Sequence, residues 1–150
     1  MTTDLLLAIA HHLLAFGLLA ILVTEFNMLR PGLAAADLKR LGIVDGHYGA
    51  VAGLLIVVGV CRVFFGIKGA AYYGENPWFW AKMASFAAVG LLSAAPTVRI
   101  IRWRRAARTQ PGFAPTVQEV AAARRLVLAQ LAIFPLIPAF AAVMARNIGA

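Results

Sequence analysis

The stretch LLLAIAHHLLAFGLLAILVTEFNML, from Leu5 to Leu29, decides the fold class of this chain. It is almost wholly apolar, and about 20 helical residues at about 1.5 Å each suffice to cross the hydrocarbon core of a bilayer. Three further apolar stretches follow, at residues 46–67, 77–101 and 117–145. Of the 150 residues, 62% are hydrophobic and only 13% are charged, unlike a soluble domain. The sequence therefore predicts an integral membrane protein.

The predicted fold is an all-α polytopic membrane four-helix bundle, with residues 1–150 as a single transmembrane domain. The second loop is short, so the second and third spans should be antiparallel neighbours. Thr116 and Glu119 form a capping-box pattern at the start of the fourth span. Pro135 and Pro138 predict a kink in the middle of that span, because proline lacks the backbone N–H that a helix needs.

The basic residues predict the orientation of the bundle. Positive residues near span ends stay on the cytoplasmic side, and ten of the fourteen Lys and Arg residues fall in the first and third loops and their flanks. They are Arg30, Lys39, Arg40, Arg99, Arg102, Arg104, Arg105, Arg108, Arg124 and Arg125. Both termini should therefore face outside (periplasmic), in a bacterial inner (cytoplasmic) membrane. The net charge of +8 then reflects topology and contact with anionic lipids, not nucleic-acid binding.

Several polar residues should share one layer near the outer face. His11 and His12 lie about 9–10 Å below the outer end of the first span, and Arg62 and Lys82 reach a similar depth in the second and third spans. Two buried cations without an acid at their level favour a bound anion. Haem b or another porphyrin fits this pattern, because its two propionates would pair with the cations while a histidine binds the iron. The candidate site residues are His11, His12, Arg62, Lys82, Met83 and Met144, with His11 or His12 as metal ligand and Met83 or Met144 as second ligand.

A second polar group should lie at the opposite, cytoplasmic end. There we expect interfacial pairing of Glu25 with Arg99 or Arg30, and of Asp45 with His47. His47 should be separated from His11 by much of the bilayer, so these two histidines are poor candidates for axial ligands on one metal.

Two other functions compete with a haem or porphyrin protein of redox or porphyrin-oxidising role. One is a channel or transporter subunit, which with four spans would need to form a homo-oligomer to enclose a pathway. The other is a copper-handling module that uses His11, His12, Met83 and Met144.

A resemblance accompanies these residues. The whole chain resembles a family of small bacterial membrane proteins known only as a domain of unknown function, through DGHYGAVAGLLIVVGVCRVFFGIKGAAYY, NPWFWAKMASF and SAAPTV. More distantly, a first-span histidine, the second-span Arg62 and a third-span aromatic residue followed by Lys82 resemble HemJ-type protoporphyrinogen oxidase and CopD-type membrane domains. In that wider group the first-span histidine and the third-span lysine are implicated in haem or porphyrin binding. The resemblance implies such roles for His11 and Lys82.

Overall fold

A computed structural model describes residues 2–146, and every element of secondary structure within them is a helix. The helices are α1 (Thr2–Met28), α2 (Ala35–Phe65), α3 (Gly69–Glu75), α4 (Pro77–Thr109), α5 (Val117–Ile133) and α6 (Leu136–Ala145). Four segments are long and apolar enough to cross a membrane, namely α1, α2, α4 and the α5–α6 pair. The prediction of an all-α, four-span bundle is confirmed.

The four spans form a closed ring in chain order. α1 packs against α2, α2 against α4, α4 against α5 and α6, and α5 returns to α1. Consecutive spans joined by short connections run antiparallel, as in up-down-up-down bundles. The short helix α3 lies in the second loop and contacts α2 and α4, an element that the sequence analysis did not predict.

Two helices extend beyond the predicted spans. α2 begins at Ala35 rather than near Gly46, and α4 continues to Thr109 rather than ending near Ile101. Charged residues limit the part of a helix that can lie in hydrocarbon, but Lys and Arg are good helix formers and do not end the helix itself. The basic segments therefore prolong the spans as helix.

Helix starts follow the capping rules. The Asn76 side chain accepts a hydrogen bond from the Trp78 backbone N–H at 3.0 Å, with Pro77 at the first helical position of α4. At the start of α5, Thr116 Oγ1 accepts from the Glu119 backbone N–H at 3.2 Å, and the Thr116 N–H donates to Glu119 Oε2 at 2.9 Å. The predicted capping box is confirmed.

The fourth span breaks where proline interrupts it. α5 ends at Ile133 and α6 begins at Leu136, because neither Pro135 nor Pro138 has an N–H to donate. The Phe134 carbonyl accepts instead from the Ile137 N–H at 3.1 Å. Where a kink in one long helix was predicted, the span therefore divides into two helices.

Apolar side chains divide into a packed interior and an exposed exterior. The interior contains Leu18 and Leu22 of α1, which are 0% and 1% exposed. Large apolar residues cover the outside, and Leu91 of α4 is 78% exposed. Extensive exposed apolar surface of this kind is typical of a lipid-facing surface.

Gly49 and Gly53 form a GxxxG pattern, which is common at close contacts between membrane helices, but neither glycine packs inside the bundle. Both glycines are exposed, and a Cβ added to either would meet nothing within 4 Å. The bundle-facing side of α2 carries Asp45, Tyr48 and Leu55 instead. Close approaches to α2 occur at Gly42 and Gly59, where side chains of α4 and α1 lie against the glycine backbone.

The interior leucines should dominate the stability of the bundle. Leu22→Ala leaves a cavity in a filled interior and should lower the free energy of unfolding by about 1–3 kcal/mol. Leu91→Ala removes only lipid-facing surface and should leave it within about 0.5 kcal/mol of wild type. Unfolding in detergent followed by circular dichroism measures both. Equal losses for the two variants would contradict the assignment of interior and exterior.

Candidate ligand site

A small cavity lies where α1, α2 and α4 approach the α5–α6 break. Its volume is about 140 Å³, and the chemically distinctive residues in its wall are His11, Lys82 and Met83. The remaining wall is apolar, apart from glycine, and consists of Ala15, Leu55, Ile56, Gly59, Val60, Val63, Phe79, Phe86, Phe134 and Ile137. The cavity thus combines an imidazole and an ammonium group with a hydrophobic enclosure.

The position of His11 follows from helical spacing. His11, Ala15, Leu18, Leu22 and Glu25 recur every three or four residues, which places them on one face of α1. This face is the side that packs in the bundle, since Leu18, Leu22 and Glu25 are all buried. His11 is therefore directed inward at its own level.

His11 lies against the backbone of α2. A Cβ built on Gly59 would fall 3.3 Å from His11 Cε1, so any side chain at this position would require the ring to shift. The His11 Nδ1 atom is buried and has no hydrogen-bond partner. An unsatisfied nitrogen in an apolar wall is a group to which a ligand could still bind.

His12 is placed differently. It follows His11 by one residue and so points about 100° further around the helix. Its side chain is exposed, and its Nδ1 atom lies 2.6 Å from the Ala8 carbonyl oxygen. Of the two predicted histidines, only His11 lines the cavity.

The two predicted cations meet near His11. The charges of Arg62 and Lys82 both act on the His11 ring, and Arg62 also acts on Lys82. Lys82 Nζ lies 5.0 Å from the centroid of the Phe79 ring, and Arg62 Nε is buried without a hydrogen-bond partner. The three helices therefore bring His11, Arg62 and Lys82 together.

Within residues 2–146 no acid forms an ion pair with either cation. The nearest candidates by sequence were Asp4 and Glu75. Asp4 Oδ1 accepts a hydrogen bond from the Ile67 backbone N–H at 3.3 Å, and Glu75 is exposed at the end of α3. The site therefore carries positive charge that the described part of the chain does not neutralise.

The two predicted methionines differ in position. Met83 lines the cavity and is 38% exposed. Met144 does not line it, and its backbone carbonyl accepts a hydrogen bond from the Tyr72 hydroxyl at 2.7 Å. Among residues 2–146, no group of three or more His, Cys, Asp or Glu side chains is placed to hold a metal ion. The four-residue copper set is therefore not assembled around this cavity.

The second polar group, which includes Glu25 and Asp45, is also arranged differently from its prediction. Asp45 accepts a hydrogen bond from Thr97 Oγ1 at 2.6 Å, whereas His47 is exposed. Glu25 is buried, and no ion pair joins it to Arg99 or Arg30 in the described structure. The expected pairs are wrong because Asp45 and Glu25 face the interior of the bundle, where His47 does not reach.

The sequence analysis missed several residues that shape the cavity. Gly59, Phe79 and Phe86 come from α2 and α4, and Phe134 lies at the proline break. A helical-spacing argument could have found two of them, because Phe79 and Phe86 precede and follow Lys82 by three and four residues. Nothing in the sequence alone marks Gly59 as the glycine that faces His11.

These observations define a class, an integral membrane protein whose four-span bundle contains a small apolar cavity lined by a histidine and a lysine, with Arg62 near both but outside the wall. Residues 3–149 match the family model described as Predicted membrane protein (DUF2214), and the chain belongs to this family. No curated protein and no solved structure matches the chain. The distant resemblance to HemJ-type and CopD-type domains stays a prediction.

The contact between His11 and Gly59 can be tested by replacing the glycine with a larger residue. Gly59→Leu places a side chain where the His11 ring lies and should lower the free energy of unfolding by about 1–3 kcal/mol. Gly53→Leu on the same helix meets open space and should be neutral or slightly stabilising, because leucine is the better helix former. Thermal unfolding in detergent compares the two variants. Equal stability would show that α1 does not approach α2 at Gly59.

Proposed function

We propose that this protein binds haem b or a related porphyrin in the cavity beside His11, and serves in electron transfer or porphyrin oxidation. The observation that supports it is the convergence of three features at one place. His11 has an unpartnered buried nitrogen, Lys82 and Arg62 add positive charge, and the surrounding wall is apolar. A flat hydrophobic molecule with carboxylates matches all three.

The charges argue for an anionic ligand in particular. A buried cation is costly in a membrane unless it is paired or hydrated. Arg62 and Lys82 lie near each other, and no described acid pairs with either of them. Two carboxylates on one ligand would neutralise both groups, while the apolar body of the ligand occupies the wall of aliphatic and aromatic side chains.

The size of the cavity limits how the ligand could sit. Typical small-molecule sites have about 300–1,000 Å³, and this cavity has about 140 Å³. Three side chains in its wall are substantially exposed, namely Ile56, Val60 and Met83. A porphyrin would therefore need to extend past these side chains into the hydrocarbon phase, which suits a ring with apolar edges.

The residues of the chain fit such a group by their donor chemistry. His11 would hold the iron through a ring nitrogen, Lys82 and the nearby Arg62 would hold the propionates, and Met83 in the cavity wall would be available as a second ligand. When bound, haem supplies a one-electron redox centre. The apolar wall would keep water from that centre.

We also place the basic end of the bundle in the cytoplasm of a bacterial inner membrane. A second cavity, of about 280 Å³, lies there between α2 and α4 and is lined by Lys39, Arg104 and Arg108. Clustered basic residues beside a span attract anionic lipid headgroups. This orientation places the His11 cavity in the outer leaflet.

Haem binding should depend on one of the two adjacent histidines. Purified protein titrated with haem in mild detergent should develop a Soret band, and His11→Ala should shift or abolish it and weaken binding at least about tenfold. His12→Ala is the matched control and should bind as wild type does, because His12 is exposed away from the cavity. Absorption spectroscopy measures both.

Four results would contradict the proposal. Wild-type protein could leave the haem spectrum unchanged, or the two histidine variants could behave alike. A colourless preparation fully loaded with copper would favour a copper-handling module. A colourless, metal-free oligomer that moves ions in liposomes would favour a channel or transporter subunit.

The role of positive charge can be separated from that of hydrophobic contact. Lys82→Met should weaken haem binding by about 10- to 100-fold, since a charge-assisted hydrogen bond contributes about 1.5–3 kcal/mol and each 1.4 kcal/mol is about a factor of ten. Lys68→Met is the control, because Lys68 is exposed and donates to Tyr72 instead. A porphyrin dimethyl ester, which has no carboxylate, should bind equally to wild type and Lys82→Met. A loss of ester binding as large as the loss of haem binding would show that Lys82 does not recognise carboxylate.

A further inference from the structure

A second layer of buried polar side chains crosses the bundle at the end opposite the His11 cavity. Glu25 lies about 21 Å along α1 from His11, from a rise of about 1.5 Å per residue. It joins Asp45 and Tyr48 of α2, Thr97 of α4 and Gln130 of α5. All four spans therefore contribute to this layer, which plays no part in the proposed ligand site.

Asp45 is the well-partnered acid of the layer. Thr97 Oγ1 donates a hydrogen bond to Asp45 Oδ1 at 2.6 Å. The charge of Arg104 also acts on Asp45, and the Arg104 side chain crosses α2 at Gly42, where a built Cβ would fall 2.6 Å from Arg104 Nε. Burial disfavours the charged form of any carboxyl group, but at Asp45 a hydroxyl donor and a nearby guanidinium offset part of this cost.

Glu25 has neither kind of partner. It is only 3% exposed, and in the described structure its side chain makes no hydrogen bond and no ion pair. It nevertheless faces the bundle, because it lies on the face of α1 that carries the buried Leu18 and Leu22, and its charge acts on Asp45 and Tyr48. A buried carboxylate facing another carboxylate, without a donor, is unfavourable in an apolar interior.

The nearby polar and charged side chains of α2, α4 and α5 do not pair with Glu25. From α5, the Arg124 guanidinium donates to the Leu29 carbonyl at 3.2 Å and lies 4.2 Å from the Phe26 ring centroid. From α4, the charge of Arg99 acts on Glu119 at the start of α5, and Arg99 Nη1 is buried without a hydrogen-bond partner among the described residues. The Tyr48 hydroxyl donates to Gln130 Oε1 at 3.2 Å. None of these groups forms an ion pair with Glu25 within residues 2–146.

We propose that Glu25 and Asp45 form a proton-binding site inside the membrane, in which Glu25 carries the proton at neutral pH. Protonation removes the unpaired charge of Glu25 and its repulsion with Asp45, and a proton requires no cavity. When the site releases the proton, the Glu25 O–H bond breaks and a carboxylate remains. The residues of this site lie outside the His11 cavity, so proton binding can be tested independently of porphyrin binding.

Infrared spectroscopy of the full chain in a detergent without ester groups tests this site directly. A protonated carboxyl group gives a C=O stretching band that carboxylates and amides lack. Wild-type protein at neutral pH should show this band, and Glu25→Gln should lose it. Asp45→Asn should keep the band but lose it at a lower pH than wild type as the pH is raised, because the neighbouring negative charge that favours the proton is gone.

Two matched variants control for other acids. Asp4→Asn and Glu119→Gln remove carboxyl groups outside the layer and should leave the band unchanged. The proposal is overturned if wild type shows no such band at neutral pH, or if Glu25→Gln retains it. Should Glu25→Gln fail to fold by gel filtration, the Asp45→Asn titration decides, and a titration identical to wild type overturns the proposal.

Discussion

The absence of water from the hydrocarbon core is the constraint on which the rest of this structure depends. A backbone N–H or C=O group in that region has no solvent partner, so each span must be a helix that satisfies its own backbone. The same constraint acts on side chains. Polar residues inside the spans either face the interior of the bundle, as Glu25 and Asp45 do, or bond to their own backbone, as Thr24 does with the Ala20 carbonyl.

The interior polar residues form two layers of opposite charge. The layer around His11 and Lys82 carries positive charge, while the layer around Glu25 and Asp45 carries the acids. Leucine and valine side chains fill the bundle between them, including Leu18, Leu22 and Val89. The two layers therefore cannot neutralise each other. The unpaired charge of each layer must therefore be neutralised within that layer. We propose that a carboxylate ligand does this in the layer around His11, and that a bound proton does it in the layer around Glu25.

Two glycines of α2 allow side chains from neighbouring helices to approach the α2 backbone, one in each polar layer. At Gly59 the His11 ring approaches the α2 backbone, and at Gly42 the Arg104 side chain does so. A side chain at either position would keep the neighbouring helix, or its long side chain, further away. Gly42 and Gly59 each leave room for one specific side chain. Gly49 and Gly53 match a helix-pairing motif but face outward.

The sequence by itself determined the number of spans, the capping box at Thr116 and the interruption at Pro135. Each of these follows from local chemistry: apolar length, a side chain that bonds to the adjacent backbone, and a missing N–H. The sequence also placed His11, Arg62 and Lys82 at one depth, because depth in a membrane is fixed by position along a helix. Only the tertiary structure decided which histidine faces the cavity, that Asp45 pairs with Thr97 rather than His47, and that Glu25 has no side-chain partner within residues 2–146. These contacts depend on how each helix is rotated about its axis and on which helix lies beside it. The rotation is set by packing among all four spans, so the sequence of one span does not determine it.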